Sequence, residues 1–324
     1  MLLKVNKKKP ILIVAAEPYS VFSEILFKSF KKHKLKKPLV IIGSLRLLIK
    51  QMKFLKYKIQ FKNINKDFHL KDLEINKINV INVNFKFSKP FDKISNNSNF
   101  YINESFKLAL NLMKKNIFAG MINGPISKKH FLKNKYFGIT EYLASKTGTK
   151  NFAMLIYNKK LAVNPITTHV PLNKVSKLIS KKKMINHVYL IKKFYKKKFN
   201  IDAKIAITGL NPHCESYNKN DVEKKIINPT IKYLKKNLSN VKGPFPADSI
   251  FMRENVKKYN VIVGMYHDQV LTPMKSIHNF DAINITLGLP FTRITPDHGP
   301  NFNMRGKNKS NPDSLISAIK FLEK

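Results

Sequence analysis

Short apolar runs of strand length recur along the chain, and stretches of helical period separate many of them. The runs at 11–16, 39–43, 78–83, 118–122, 153–157, 161–166, 203–208, 261–266 and 282–286 are near-continuously apolar. That is the pattern of strands buried on both faces. Between them, 21–32, 104–115, 174–199, 222–236 and 313–322 carry apolar residues at helical spacing with lysines on the other face. Strands alternating with helices predict an α/β fold built on a largely parallel sheet. The stretch 62–98 is poorest in pattern, rich in Asn, Lys and Phe, and reads as an irregular connection around one short strand. No internal repeat and no Gly/Ser linker divides the chain.

Composition sharpens this picture. With 324 residues the chain has room for about two domains, or one large α/β unit. At 43% apolar and 11% aromatic residues it can bury a sizeable core, which excludes a disordered chain. A single cysteine, Cys214, excludes a disulfide framework and any multi-cysteine metal site. No apolar run approaches the roughly 20 residues of a membrane span. The first, 11–16, is too short for a secretory signal and meets Glu17 at once. The expectation is a soluble, cytoplasmic protein.

The charge is extreme: 61 Lys+Arg against 19 Asp+Glu, a formal +42. Such a balance raises a nucleic-acid reading. The lysines are dispersed rather than gathered into a stripe. Asn and Ile are also abundant and Trp is absent, the imprint of A/T-rich codons. The expectation is therefore no nucleic-acid partner, and a positive field that recruits an anionic small molecule.

The chemistry-bearing residues cluster after the strand-like runs. None of the 11 glycines is separated from another by a single residue, so neither a G-x-G-x-x-G turn nor a Walker A loop exists. Three of the nine histidines, His169, His213 and His267, follow apolar runs within a few residues. In an α/β sheet the carboxyl ends of strands form the ligand edge. Three imidazoles there would suit one divalent cation; equally, they would serve as three separate loop histidines. Asp268 adjoins His267, Glu215 lies two residues past His213, and Asp248 sits in the turn-rich Gly-Pro-Phe-Pro-Ala-Asp. Such carboxylates orient imidazoles, act as bases, or are plain surface charge. Lys275 and Arg293 flank the run at 282–286, Asn284 lies within it, and the three would hold a phosphate and a carboxylate. Gly-Pro-Ile-Ser-Lys at 124–128 either offers backbone N–H groups to an anion or simply starts a helix.

In order and spacing these segments resemble the 4-hydroxythreonine-4-phosphate dehydrogenase family of vitamin B6 biosynthesis. Thr-Thr-His-Val-Pro-Leu at 167–172, Gly-Leu-Asn-Pro-His at 209–213 and Met-Tyr-His-Asp-Gln at 265–269 carry the resemblance. So do the segments 124–128, 138–144, 243–248, 284–290 and 297–299. It spans roughly residues 10 to 324. The resemblance implies a two-lobed α/β fold like isocitrate and isopropylmalate dehydrogenases, with an active-site cleft between lobes. One lobe would take in 1–140 and 285–324; the other, 141–284, would carry the metal histidines and the dimer contacts. It implies a homodimer with a shared active site. His169, His213 and His267 would bind a divalent metal (Zn, Co, Mn or Mg), one of them supplied by the partner subunit. Substrate contacts would fall on Thr140, Lys275, Asn284 and Arg293. NAD or NADP would accept the hydride, and Asp248 and Asp268 are the candidate bases. The implied reaction is metal-dependent oxidation and decarboxylation of 4-phosphooxy-L-threonine to 3-amino-2-oxopropyl phosphate.

The chain departs from the family pattern in places. Ile139 stands where the family has a substrate-binding histidine, and the N-terminal glycine-rich pattern appears as Ala-Glu-Pro-Tyr-Ser-Val-Phe at 16–22. The glycine-rich stretch after the second histidine is Cys-Glu-Ser-Tyr-Asn, and Pro300 follows Asp-His-Gly. Ile139 keeps a second substrate in view, a related four-carbon acid phosphate such as threonate 4-phosphate. Rivals of other classes are a basic nucleic-acid-binding protein on a degenerate scaffold and a metal-dependent hydrolase.

Overall fold

The computed structural model describes residues 9–132, 135, 136, 138–216, 218–278, 282–296 and 299–324. Asp297 and His298 of the Asp-His-Gly motif, and Tyr217, lie outside the described residues. The chain folds as two compact units. One takes in Met1–Thr147 and Pro290–Lys324, the other Gly148–Leu289.

The first unit begins with β1 (Ile11–Val14), β2 (Leu39–Gly43), β3 (Phe61–Ile64), β4 (Ile78–Asn82) and β5 (Gly120–Asn123). The second contributes β6 (Ala153–Tyr157), β7 (Ala162–Pro165), β8 (Ile205–Thr208), β9 (Val241–Phe245), β10 (Val261–Gly264) and β11 (Ile283–Leu287). The chain then returns to the first unit with β12 (Arg293–Pro296). In the first unit the strand order is β3-β4-β2-β1-β5-β12, all parallel. Every residue of β1 and β2 is fully buried, as expected of central strands covered on both faces. In the second unit the order is β11-β6-β7-β10-β8-β9. Here β7, β10, β8 and β9 are parallel, while β6 runs antiparallel to both β7 and β11. The sheet is thus mixed rather than uniformly parallel, because β6 and β7 are joined by a short turn and form a hairpin.

Three strands lay outside the sequence expectation. β3 is an edge strand of Phe-Lys-Asn-Ile, only partly buried. β9 contains Gly243 and Pro244 and also lies at an edge, where a missing N–H is tolerated. Gly243 has φ +145°, and a Cβ there would meet the Ile207 carbonyl oxygen at 2.5 Å, so the close approach of β9 to β8 requires glycine. β12 opens on an arginine, which breaks the apolar run. The helix expected over 174–199 is in fact broken: Lys181–Phe199 starts afresh, with the Ser180 side chain accepting the Lys183 N–H as its cap.

The topology of the second unit has one consequence for chemistry. β7, β10 and β8 are adjacent and parallel, so their carboxyl ends share one edge. His169, His213 and His267 each follow one of those ends within five residues. No helix among the described residues is long and apolar enough to cross a membrane.

Candidate functional site

The three strand ends are stitched together by buried side chains. Thr167, after β7, donates its hydroxyl to the Met265 carbonyl at 2.8 Å, and its N–H reaches the same oxygen at 3.1 Å. Gln269 bridges β10 and β8. Its Oε1 accepts the Met265 N–H at 2.7 Å and the Thr208 hydroxyl at 3.0 Å, and its Nε2 donates to the Gly209 carbonyl at 2.8 Å. All four polar functions of this frame are satisfied away from water, which makes it stiff.

On that frame His169 and His267 come together, their ring centres 5.4 Å apart and their planes at 41°. Two imidazoles sharing one tetrahedral ion have ring centres about 5 Å apart, from a metal–nitrogen distance of about 2.1 Å. The pair therefore fits a divalent metal in spacing and in donor type. His267 opens the helix His267–His278, and its Nδ1 lies 2.6 Å from Asp268 Oδ1. An ionised carboxylate only accepts, so Nδ1 carries the proton and Nε2 keeps its lone pair for a cation.

His213 does not complete a triad within this chain. Among the described residues no three His, Cys, Asp or Glu side chains form a group able to hold a metal ion. His213 is exposed on the turn Pro212–Cys214, with φ +55°, and Cys214 follows at φ +59°. Two successive non-glycine residues in the left-handed region cost roughly 1–2 kcal/mol each. Such a conformation persists only where its surroundings impose it. Here Glu223, fully buried, takes the Leu210 and Asn211 N–H groups on Oε1 at 2.8 and 2.7 Å and the Asn211 Nδ2 on Oε2 at 3.0 Å. Asp248 is exposed; its Oδ1 accepts the Ser249 N–H at 2.7 Å. Its charge, with that of Glu223, adds to burial in pushing the Cys214 thiol up. Asp248 thus lies on the side of the His213 turn, whereas Asp268 belongs to the His169–His267 pair.

The substrate candidates divide between the units. In the first unit Arg293, at the start of β12, is fully buried. Its Nε donates to Asn123 Oδ1 at 2.8 Å and its Nη1 to the Thr140 hydroxyl at 3.1 Å. Burial pulls its proton affinity down to about 9, opposed by the Glu141 carboxylate, so it stays a cation at neutral pH. Asn123 also takes the Thr295 hydroxyl at 3.3 Å and donates to the Gly124 carbonyl at 2.8 Å. Asn123 and Thr295 line a cavity of about 420 Å³, together with Ser127, Lys128, His130 and Ile139. That size and the cationic rim suit a phosphorylated small molecule or the pyrophosphate portion of a nucleotide. The Gly-Pro-Ile-Ser-Lys segment thus forms a cavity wall, and Lys128–Leu132 continues it as one wide helical turn. In the second unit Asn284 on β11 has a buried Oδ1 with no hydrogen-bond partner among the described residues, an acceptor left for a ligand. Lys275 is exposed on the helix His267–His278.

Behind the cavity wall sits an acid to which the sequence pattern assigned no role. Glu17 is buried at 1% exposure, with its N–H on the Pro125 carbonyl and its Oε2 accepting the Ser98 hydroxyl at 3.2 Å. Burial raises its pKa to about 7. The unfolded chain releases that proton near 4.5, so between 4.5 and 7 the folded state holds more protons. Glu17's own contribution to stability therefore falls as pH rises through that window and levels off above it, by about 3 kcal/mol. Glu17→Gln, which carries no charge to bury, is expected to match the wild type in urea midpoint at pH 4 and to exceed it at pH 8. Equal midpoints at both pH values would remove this account of Glu17.

Residues 34–322 match the family described as pyridoxal phosphate biosynthetic protein PdxA. The chain is 37% identical to the 4-hydroxythreonine-4-phosphate dehydrogenase of Sulfurihydrogenibium sp. (strain YO3AOP1), over 95% of this chain and 96% of the relative. It is 28% identical to the D-threonate 4-phosphate dehydrogenase of Salmonella typhimurium, over 96% of this chain and 97% of that one. Among solved structures, 4-hydroxythreonine-4-phosphate dehydrogenase from Klebsiella pneumoniae aligns with a TM-score of 0.84 at 26% identity, covering 97% of this chain and 98% of that chain. A two-unit α/β frame, paired imidazoles on adjacent strand ends and a likeness running almost end to end agree: the chain belongs to the PdxA family of pyridoxal phosphate biosynthetic proteins.

Proposed function

We propose that this chain is a divalent-metal- and NAD(P)-dependent dehydrogenase that oxidises and decarboxylates 4-phosphooxy-L-threonine, yielding 3-amino-2-oxopropyl phosphate. The secondary alcohol becomes a ketone by loss of a proton and a hydride, the hydride going to NAD(P)⁺. The resulting β-keto acid loses carbon dioxide, and a proton replaces it on carbon. The observation that carries the reading is the His169–His267 pair at 5.4 Å, in a chain 37% identical to a relative with this name.

Each residue has a role in this scheme. His169 and His267 would hold the metal, with His213 of a second copy as third ligand in a homodimer. When bound, the ion supplies a Lewis acid that favours ionisation of the alcohol. Asp268 fixes the His267 tautomer, and Asp248, on the His213 side of the site and so from that same second copy, takes the hydroxyl proton. In the first unit Thr140 and Arg293 bind the anionic ends of the substrate. In the second, Lys275 serves as a point charge and Asn284 Oδ1 accepts from the substrate's amine. The field of the +42 chain draws in the phosphate ester and the nucleotide alike. We place this chemistry in the cytoplasm, where its nucleotide is found.

Absorbance at 340 nm tests the scheme. Purified protein with 4-phosphooxy-L-threonine and NAD⁺ or NADP⁺ is expected to form reduced nucleotide only with added Zn²⁺, Co²⁺, Mn²⁺ or Mg²⁺. Silence from folded, metal-loaded protein with every pairing would overturn it. A second reading, oxidation of threonate 4-phosphate, is favoured by Ile139 on the cavity wall and by the Salmonella relative's name. Isoleucine offers no hydrogen bond to an amino substrate. A higher kcat/KM for threonate 4-phosphate would move the substrate and keep the mechanism.

A further inference from the structure

We infer that Glu223 is a positioning residue for the metal site, acting through the turn that presents His213. The inference rests on the metal reading above. Glu223 lies ten residues beyond His213, on the short helical turn Glu223–Ile227 that precedes Asn228–Asn237. It is fully buried, yet its carboxylate faces no lysine or arginine within ion-pair distance among the described residues. Instead it is filled by three N–H donors from two consecutive residues, Leu210 and Asn211. Those residues lead directly through Pro212 into His213 and Cys214, both left-handed. The Cys214 N–H closes the turn on the Asn211 carbonyl at 3.1 Å, so the group that Glu223 grips is also the base of the turn.

The arrangement separates two jobs. Gln269 fixes where β8 ends, and Glu223 fixes how the chain leaves it. A neutral amide at 223 retains shape but loses half of the accepting capacity, so the turn is free to relax out of its left-handed form. The His213 ring then leaves the direction in which it meets an ion. Residues that hold a metal ligand in place, without touching the metal, typically change affinity 10- to 100-fold when replaced.

The test is Co²⁺ titration of the metal-free full-length protein, followed by visible absorbance and calorimetry, at a temperature where each variant is folded by circular dichroism. Glu223→Gln is expected to bind Co²⁺ 10- to 100-fold more weakly than wild type and with altered visible bands. Asn211→Ala, which removes only the side-chain donor to the same carboxylate, is expected to shift affinity the same way by less. It carries the test alone if Glu223→Gln does not fold. Wild-type affinity in the folded variants, alongside a His213→Ala control that has lost Co²⁺, would overturn the positioning role and leave the metal reading standing. Equal Co²⁺ binding by wild type and His213→Ala would overturn the metal reading itself, and this inference with it.

Discussion

Replacing His267 with alanine is expected to lower metal-dependent turnover by at least 1,000-fold and to abolish tight binding of a divalent ion. The residue combines three features. It stands at the end of a central parallel strand, its Nδ1 is committed to Asp268 at 2.6 Å, and its ring lies 5.4 Å from that of His169. Removing it leaves only two of the three proposed imidazoles, His169 and the His213 of a second copy, and two such ligands hold a divalent ion far more weakly than three. Asp268→Asn is the milder probe. It leaves the ring in place but no longer dictates the tautomer, and a 10- to 100-fold loss is expected. His213→Ala is expected to be as severe as His267→Ala, although His213 forms no group of three with the others in one chain. That contrast makes a sharp test of a shared site. Each variant alone should be inactive. If His213 reaches its ion from a second copy, mixing the two and allowing subunits to exchange gives heterodimers with one intact site. Half of the dimers are then mixed and half of their sites complete, so about a quarter of wild-type activity returns. No recovery on verified exchange would place all three ligands in one subunit. Near-normal turnover of metal-stripped His213→Ala would sink metal chemistry altogether.

The sequence made these histidines visible because buried parallel strands read as plain apolar runs, and a polar residue just beyond such a run stands out. The central strands β1, β2, β7, β8 and β10 were legible for that reason. What stayed hidden was whatever mixed the signal. β9 looks like a turn because it holds Gly243 and Pro244, and β12 opens on a fully buried arginine. The helix His267–His278 was masked by its polar start and by Pro273 inside it. The supporting polar groups were beyond reach for a different reason. Gln269 meets Thr208 across 61 residues, and Asn123 meets Arg293 across 170. Nothing local marks such a residue, since its partner arrives only when the sheet forms. Asn123 came nearest to a signal, as a polar residue closing an apolar strand directly before Gly-Pro. Glu223 had none: one acid among lysines on a helical pattern reads as solvated surface, and only its zero exposure and its three donors reveal it.

Arg293→Lys is expected to cut kcat/KM for the phosphorylated substrate by at least 100-fold, a loss of about 3 kcal/mol of transition-state binding. The charge is kept, so the effect isolates the shape of the guanidinium. Arg293 spends Nε on Asn123 and Nη1 on Thr140, two directions fixed by one plane. A lysine ammonium is a point donor, and satisfying both Asn123 and Thr140 from one nitrogen forces it out of that plane. Asn123 and Ile139, the neighbour of Thr140, both line the 420 Å³ cavity. The substitution therefore reaches the cavity wall from behind, through the residues that shape it. If Arg293 serves the anionic substrate, KM rises most, the thermal midpoint falls by only a few degrees, and competitive inhibition by inorganic phosphate weakens in parallel. If Arg293 serves only to tie β12 to β5, the midpoint falls steeply while KM and phosphate inhibition hold. The two outcomes are opposite in which quantity moves, and they separate because the buried partners Asn123 and Thr140 are neutral. Losing the fork's geometry leaves two polar groups short of a donor, at a structural cost of about 1–3 kcal/mol for each. Circular dichroism at 25 °C shows whether the variant is folded, and in folded protein the kinetic constants of Arg293→Lys report on recognition rather than on unfolding.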